Sequence, residues 1–146
     1  MSQTEDDDRQ IRALVARQFA ALCWTEGGKP DLAAFEDDFL PGAQLFASAR
    51  PASVQSVHDF GERMERLAGT TLTSFHEDVL GVEIRIFGNV ATAAVACENT
   101  ENGSSISRNL EMMLLVRTAG RWMIVAQAWD RETETNPLPD GLLAAP

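Results

Sequence analysis

Two periodicities divide the chain. Up to about residue 70, apolar positions recur at steps of three and four; from Leu72 onward they alternate with a period of two. Ile11, Leu14, Val15, Phe19 and Leu22 fall on one face of a first helix. Thr4 is placed to cap it, and Glu5, Asp6, Asp7 and Asp8 stand in its first turn, where the helix dipole favours negative charge. Gly27-Gly28 ends it. Pro30-Asp31 opens a short second helix with Leu32, Phe35 and Phe39 on one side, and Pro41-Gly42 closes it. Residues 43–47 read as a short strand. A third helix, capped by Ser53 or Ser56, buries Val57, Phe60, Met64 and Leu67 and stops at Gly69. Gly61 within it weakens the helix and predicts a close neighbour.

The alternating half is cut by three hairpin signals, Gly88-Asn89, Asn102-Gly103 and Ala119-Gly120. Strands are predicted over about 74–87, 90–101, 104–118 and 121–131. With two-residue loops, Phe87 stands opposite Val90, Glu101 opposite Ser104 and Thr118 opposite Arg121, and this fixes two faces. One carries Val82, Ile84, Ala91, Ala93, Val95, Cys97, Asn99, Arg108, Met112, Gln127 and Trp129, and is expected to hold the helices. The other centres on Trp122, Ile124, Leu115 and Met113, an apolar patch that predicts a homodimer of sheets packed face to face. Helices segregated to one side of an antiparallel sheet make the fold class α+β. One domain is expected over residues 1–131, with an irregular tail over 132–146.

Composition narrows the partners. The chain carries 22 acidic and 12 basic residues, a net charge of −10, so nucleic acid and anionic membrane are excluded as expected partners. The acidic start lacks the pattern of a secretory signal, and no apolar run reaches the length of a membrane span. A cytoplasmic location is expected. Cys23 and Cys97 have no metal or redox spacing and read as free thiols.

The run Leu32-Ala-Ala-Phe-Glu-Asp-Asp-Phe-Leu-Pro, the segment Ile86-Phe-Gly-Asn-Val-Ala and the segment Gly120-Arg-Trp-Met-Ile-Val, in this order of helices and strands, resemble the nuclear transport factor 2-like superfamily. The resemblance is to its SnoaL-like and ketosteroid-isomerase-like branch and spans about residues 8–131. It implies a cystatin-like cone, a curved sheet wrapped around helices with a pocket inside, and dimers through the outer sheet surface. It does not carry over an isomerase site. The chain has no Tyr, and Ala47 and Met112 fall at the positions of the base and the acid. Gln127 falls where the related epoxide hydrolases have an Asp.

His76 is the strongest candidate acid–base residue, pointing into the pocket if its strand is regular, with Asp78 inward to hold its imidazole. Arg108, Asn99 and Gln127 are the polar members of the inner face and are expected to orient a ligand; Trp129, Met112, Phe60 and Met64 are expected to line the pocket. Each has a plainer reading as a core or strand-end residue. His58, Asp59 and Glu62 fall short of a metal ligand set, and Asp37-Asp38 reads as a solvated helix end. No metal or cofactor is expected. Three functions stand: a module binding a small, largely apolar molecule, a cyclase, dehydratase or isomerase using His76, and a dimerisation scaffold with no turnover.

Overall fold

A computed structural model describes residues 2–143. Helix α1 spans Gln3–Ala21, α2 Leu32–Asp37 and α3 Val57–Ala68; strands β1 (Phe39–Phe46), β2 (Val54–Ser56), β3 (Phe75–Phe87), β4 (Val90–Glu101), β5 (Ser105–Thr118) and β6 (Arg121–Arg131) follow the expected order. A short helix α4, Asp140–Leu143, comes last. The six strands form one sheet in the order β2-β1-β6-β5-β4-β3. All neighbours are antiparallel except β1 and β6, which run parallel.

Local chemistry explains the ends. Ser2, not Thr4, caps α1 by accepting the Glu5 amide, and Ser56 caps α3 by accepting that of Asp59. Pro41-Gly42 does not separate helix from strand. It lies inside β1, where the register with β6 shifts between Phe39 and Gln44 and Gly42 takes φ 86°. At Gly61 a Cβ would come 3.1 Å from Leu32 Cδ2, so the glycine lets α2 and α3 approach.

The sheet register differs from the sequence reading in one decisive place. Phe87 pairs with Val90 and Thr118 with Arg121, as expected, but Glu101 pairs with Ser105. The loop has three residues, with Asn102 at φ 53° and Gly103 at φ 76°. Asn102 is held there because its side chain accepts from the Thr73 amide and donates to the Thr71 carbonyl. One added residue turns every β5 side chain to the other face. Met113, Leu115, Trp122 and Ile124 are therefore core residues, each at most 2% exposed, and not an outer patch. They pack with Ile11, Leu14, Val15 and Phe19 of α1 and with Ala91, Ala93 and Val95 of β4. A second irregularity, the extra residue Val125 in β6, restores the expected orientation of Gln127 and Trp129.

The described part of the tail, to residue 143, packs on the sheet. Leu138 and Leu142 are buried against Ala96, with Leu80, Ala94 and Leu110 around them, on the outer sheet surface. Gly81, beside a bulge in β3, makes this possible: a Cβ there would lie 1.7 Å from the Leu142 carbonyl oxygen. Among the described residues no helix is long and apolar enough to cross a membrane.

Candidate functional site

Between the helices and the inner sheet face lies a pocket of about 500 Å³. Phe60 and Met64 of α3 and Trp129 of β6 supply its apolar wall. An aromatic chain fixes that wall: Phe60 meets the edge of Trp129 at 5.6 Å between ring centroids, and Phe35 of α2 stands 5.6 Å from Phe60. The α3 residues are only half-buried because they face this space instead of a filled core.

The polar end of the pocket is built by β3, β4, β5 and β6. Glu77, Asn99, Asn109, Glu111 and Gln127 all line it, with Cys97 beside them. Glu77, Cys97 and Glu111 bring their ligating atoms within 4.8 Å of one another. Glu111 is 7% exposed. It accepts from Gln127 Nε2, and from Asn109 Nδ2 at 3.4 Å. Cys97 Sγ lies 3.5 Å from the Glu111 carboxyl and 3.2 Å from Asn109 Oδ1. Asn99 Nδ2 donates to Asn109 Oδ1.

Burial raises the pKa of Glu77 well above the usual carboxylate range, and the facing Glu111 raises it further. Burial also raises Glu111, although the donors from Gln127, Cys97, Glu77 and Asn109 oppose it. Both carboxyls are thus pushed toward their protonated forms, and Glu111 is the one better supplied with donors. Cys97 is raised too, by burial first and then by the two carboxyls, which leaves it an inert thiol. Among the described residues no Lys, Arg or His forms an ion pair with Glu77 or Glu111. The Asn99 Oδ1 and Gln127 Oε1 atoms are closed off from the pocket space and have no hydrogen-bond partner among the described residues.

Of the residues singled out in the sequence, Asn99, Gln127, Trp129, Phe60 and Met64 meet at this pocket. Four do not. His76 and Asp78 are exposed on the outer side of β3, because Glu77 takes the inward position and the bulge between Val79 and Gly81 separates this parity from that of Val82 and Ile84. Met112 is 60% exposed and Arg108 is paired outside with Glu98 at 2.9 Å, both turned outward by the three-residue loop. The inward place on β5 assigned to Met112 belongs to Glu111. His58 bonds Glu36 at 3.2 Å and Glu62 at 3.0 Å on the surface, and the Glu36 bond raises its pKa. Asp38 is no solvated helix end: it is 1% exposed and clamped by Arg17 and Arg121.

The sequence reading missed Glu77 and Glu111. A signal existed: Asn109 and Glu111 alternate with apolar residues in a strand, and buried polar residues in such places occur in hydrogen-bonded groups.

No family model matches the chain, and no curated protein matches it. Solved structures do. A protein of unknown function from Mycobacterium tuberculosis is 15% identical, with 94% of this chain and 80% of that chain covered and a TM-score of 0.74. A candidate scytalone dehydratase from Novosphingobium aromaticivorans is 10% identical, with coverage of 89% and 87% and a TM-score of 0.72. A nuclear transport factor 2-like protein of unknown function from Shewanella baltica is 13% identical, with coverage of 92% and 100% and a TM-score of 0.67. Such likeness gives the fold: the chain has the nuclear transport factor 2-like, or cystatin-like, fold, as the sequence resemblance implied.

Proposed function

We propose that this protein binds a small, largely apolar molecule inside the cone, its body against Phe60, Met64 and Trp129 and its polar end at Glu77 and Glu111. The observation that carries the reading is the pocket itself. About 500 Å³ lies within the range of small-molecule sites, and the lining joins an apolar wall to polar groups that include the charged Arg63, Glu101 and Arg131 as well as the carboxyl corner. Thermal denaturation in the presence of a panel of bicyclic aromatic compounds tests it. A compound present at about 100 times its Kd adds about 2.7 kcal/mol of stability. The Ser48→Trp variant, which places an indole in the pocket lining, is expected to lose the response. A response that survives Ser48→Trp, or no response to any compound, would remove the reading.

A second reading, a proton-transfer enzyme of the dehydratase or isomerase kind, is favoured by the carboxyl pair and not by His76. A protonated acid hydrogen-bonded to a carboxylate at a pocket wall is suited to giving a proton at one atom of a substrate and taking one at another. A candidate scytalone dehydratase among the structures of this fold is in keeping with that reading.

A homodimer remains part of the proposal, with its surface moved. The outer face of the sheet has a trough lined by Phe46, Ala94, Met112, Leu114, Ala126 and Ala128, and Met112 and Leu114 are 60% and 45% exposed. Sedimentation equilibrium is expected to show a dimer that Leu114→Glu dissociates. A native monomer at micromolar concentration would contradict it.

A further inference from the structure

Resting on the pocket reading above, we infer that the bound molecule is an organic acid whose carboxylate is held at the open end of the pocket by Arg63 and Arg131. Exposure marks the two ends. Gln127 and Glu111 are buried, Met64 and Trp129 half-buried, and Arg63 and Arg131 exposed, and all six line the pocket. Two elements aim the guanidinium groups independently. Arg63 is three residues after Phe60 and four before Leu67 on α3, in the stripe that faces the pocket. Arg131 continues the inward row of Gln127 and Trp129 on β6 and stands opposite Asn109 of β5, another lining residue. Phe60 and Trp129 meet edge to face. Arg63 and Arg131 lie about 5 Å and about 7 Å along their elements from that contact, so one small anion is within reach of both side chains.

These two cations are also unpaired in a chain rich in counter-charge, with 22 acidic residues against 12 basic ones. Eight of its eleven arginines are taken up by carboxylates, an asparagine or backbone carbonyls. Among the described residues the side chains of Arg63, Arg66 and Arg131 make no ion pair or hydrogen bond, and two of these three line the pocket. Glu101 lines it as well but does not neutralise Arg131. It pairs with Ser105 of β5, four residues from Asn109, which sets it about 14 Å along the strands from Arg131. The open end thus carries two positive charges to one negative, and a single negative charge balances it. A planar carboxylate matches the guanidinium fork with paired N–H bonds. A phosphate monoester would leave excess negative charge beside Glu101, and an ammonium group would be repelled by both arginines. The carboxylate belongs at this end because the inner end already crowds Glu77 and Glu111 together.

Isothermal titration calorimetry on the native protein at pH 7 tests this with 2-naphthoate, its uncharged isostere 2-naphthamide and the cation 2-naphthylmethylamine. We expect 2-naphthoate to bind about tenfold more tightly than the amide, with the amine weakest. Arg63→Gln and Arg131→Gln should each cut that preference about threefold, and the double variant should bring acid and amide within about twofold, with the amide's own affinity unchanged. Arg66→Gln, on the same helix but off the pocket, should leave the preference intact. All three positions are exposed, where such changes leave the fold in place. Equal affinities of acid and amide in the native protein, a preference that survives the double variant, or one that Arg66→Gln removes as well, would overturn the carboxylate assignment while leaving the pocket reading intact. Failure of all three probes to bind would instead overturn the pocket reading, and this inference with it.

Discussion

Two carboxyl clusters lie behind the same sheet, and they are built on opposite terms. Asp38, at the end of α2, is 1% exposed and accepts from Arg17 at 3.0 Å, Arg121 at 3.0 Å and Gln18 at 3.3 Å. Its charge is met by two guanidinium groups, and its backbone carbonyl takes the Ile124 amide, so it ties α1, α2 and β6 together. Glu111 is also buried, but the groups around it are an acid, a thiol and two amides, none of them cationic. A buried carboxylate with its counter-charges in place is a clamp. A carboxyl pair without them is pushed toward its protonated forms by desolvation and by the facing acid.

Replacing Asp38 with Leu should give the largest effect. Gln18 loses an acceptor while the half-exposed arginines rehydrate, and we expect a loss of about 2–3 kcal/mol by urea denaturation at pH 7. The matching change at the other cluster, Glu77→Gln, should have the opposite sign. Glu77 has a pKa raised above its unfolded value of about 4.3, so its contribution is fully present below that pH and is lost as pH rises through the folded value. The contribution of Glu77 to native stability should therefore fall with rising pH. Glu77→Gln should be more stable than native at pH 8 and lose that advantage at pH 4, as read from denaturation curves at stepped pH. If both substitutions destabilise alike at pH 8, the two clusters are of one kind and the comparison breaks.

Smaller effects sharpen the same boundary. Trp129→Phe keeps an aromatic ring against Phe60 and should cost under about 1.5 kcal/mol, while changing the affinity of a responding bicyclic aromatic compound a few-fold by calorimetry. His76→Gln, on the outer side of β3, should leave stability within about 0.5 kcal/mol and binding unchanged.

Much of the fold was written in the period of the chain. The shift from helical spacing to alternation after Leu72 and the turn residues Gly88-Asn89 and Ala119-Gly120 place the long strands and two of their registers. The site was less legible because it depends on parity. Asn102-Gly103 announces a hairpin but not whether the loop includes Ser104, and that single residue exchanges Met112 for Glu111 at the pocket. Likewise nothing in Val79-Leu80-Gly81 announces the bulge that sets Glu77 inward and His76 outward, nor that the Leu142 carbonyl of the tail needs Gly81 bare beside it. Trp129 and Gln127 were placed inside for an incomplete reason, since the loop residue and the extra residue Val125 offset each other.

The account turns on the carboxyl pair holding a proton at the pocket. A carbon-13 NMR titration of the side-chain carboxyls, with Glu77 and Glu111 assigned through their Gln variants, measures this directly. Both should titrate above the ordinary glutamate value of about 4.3, with each moving when the other is replaced. Two independent transitions near that ordinary value would mean that the corner is ionised and solvated, and would contradict the account.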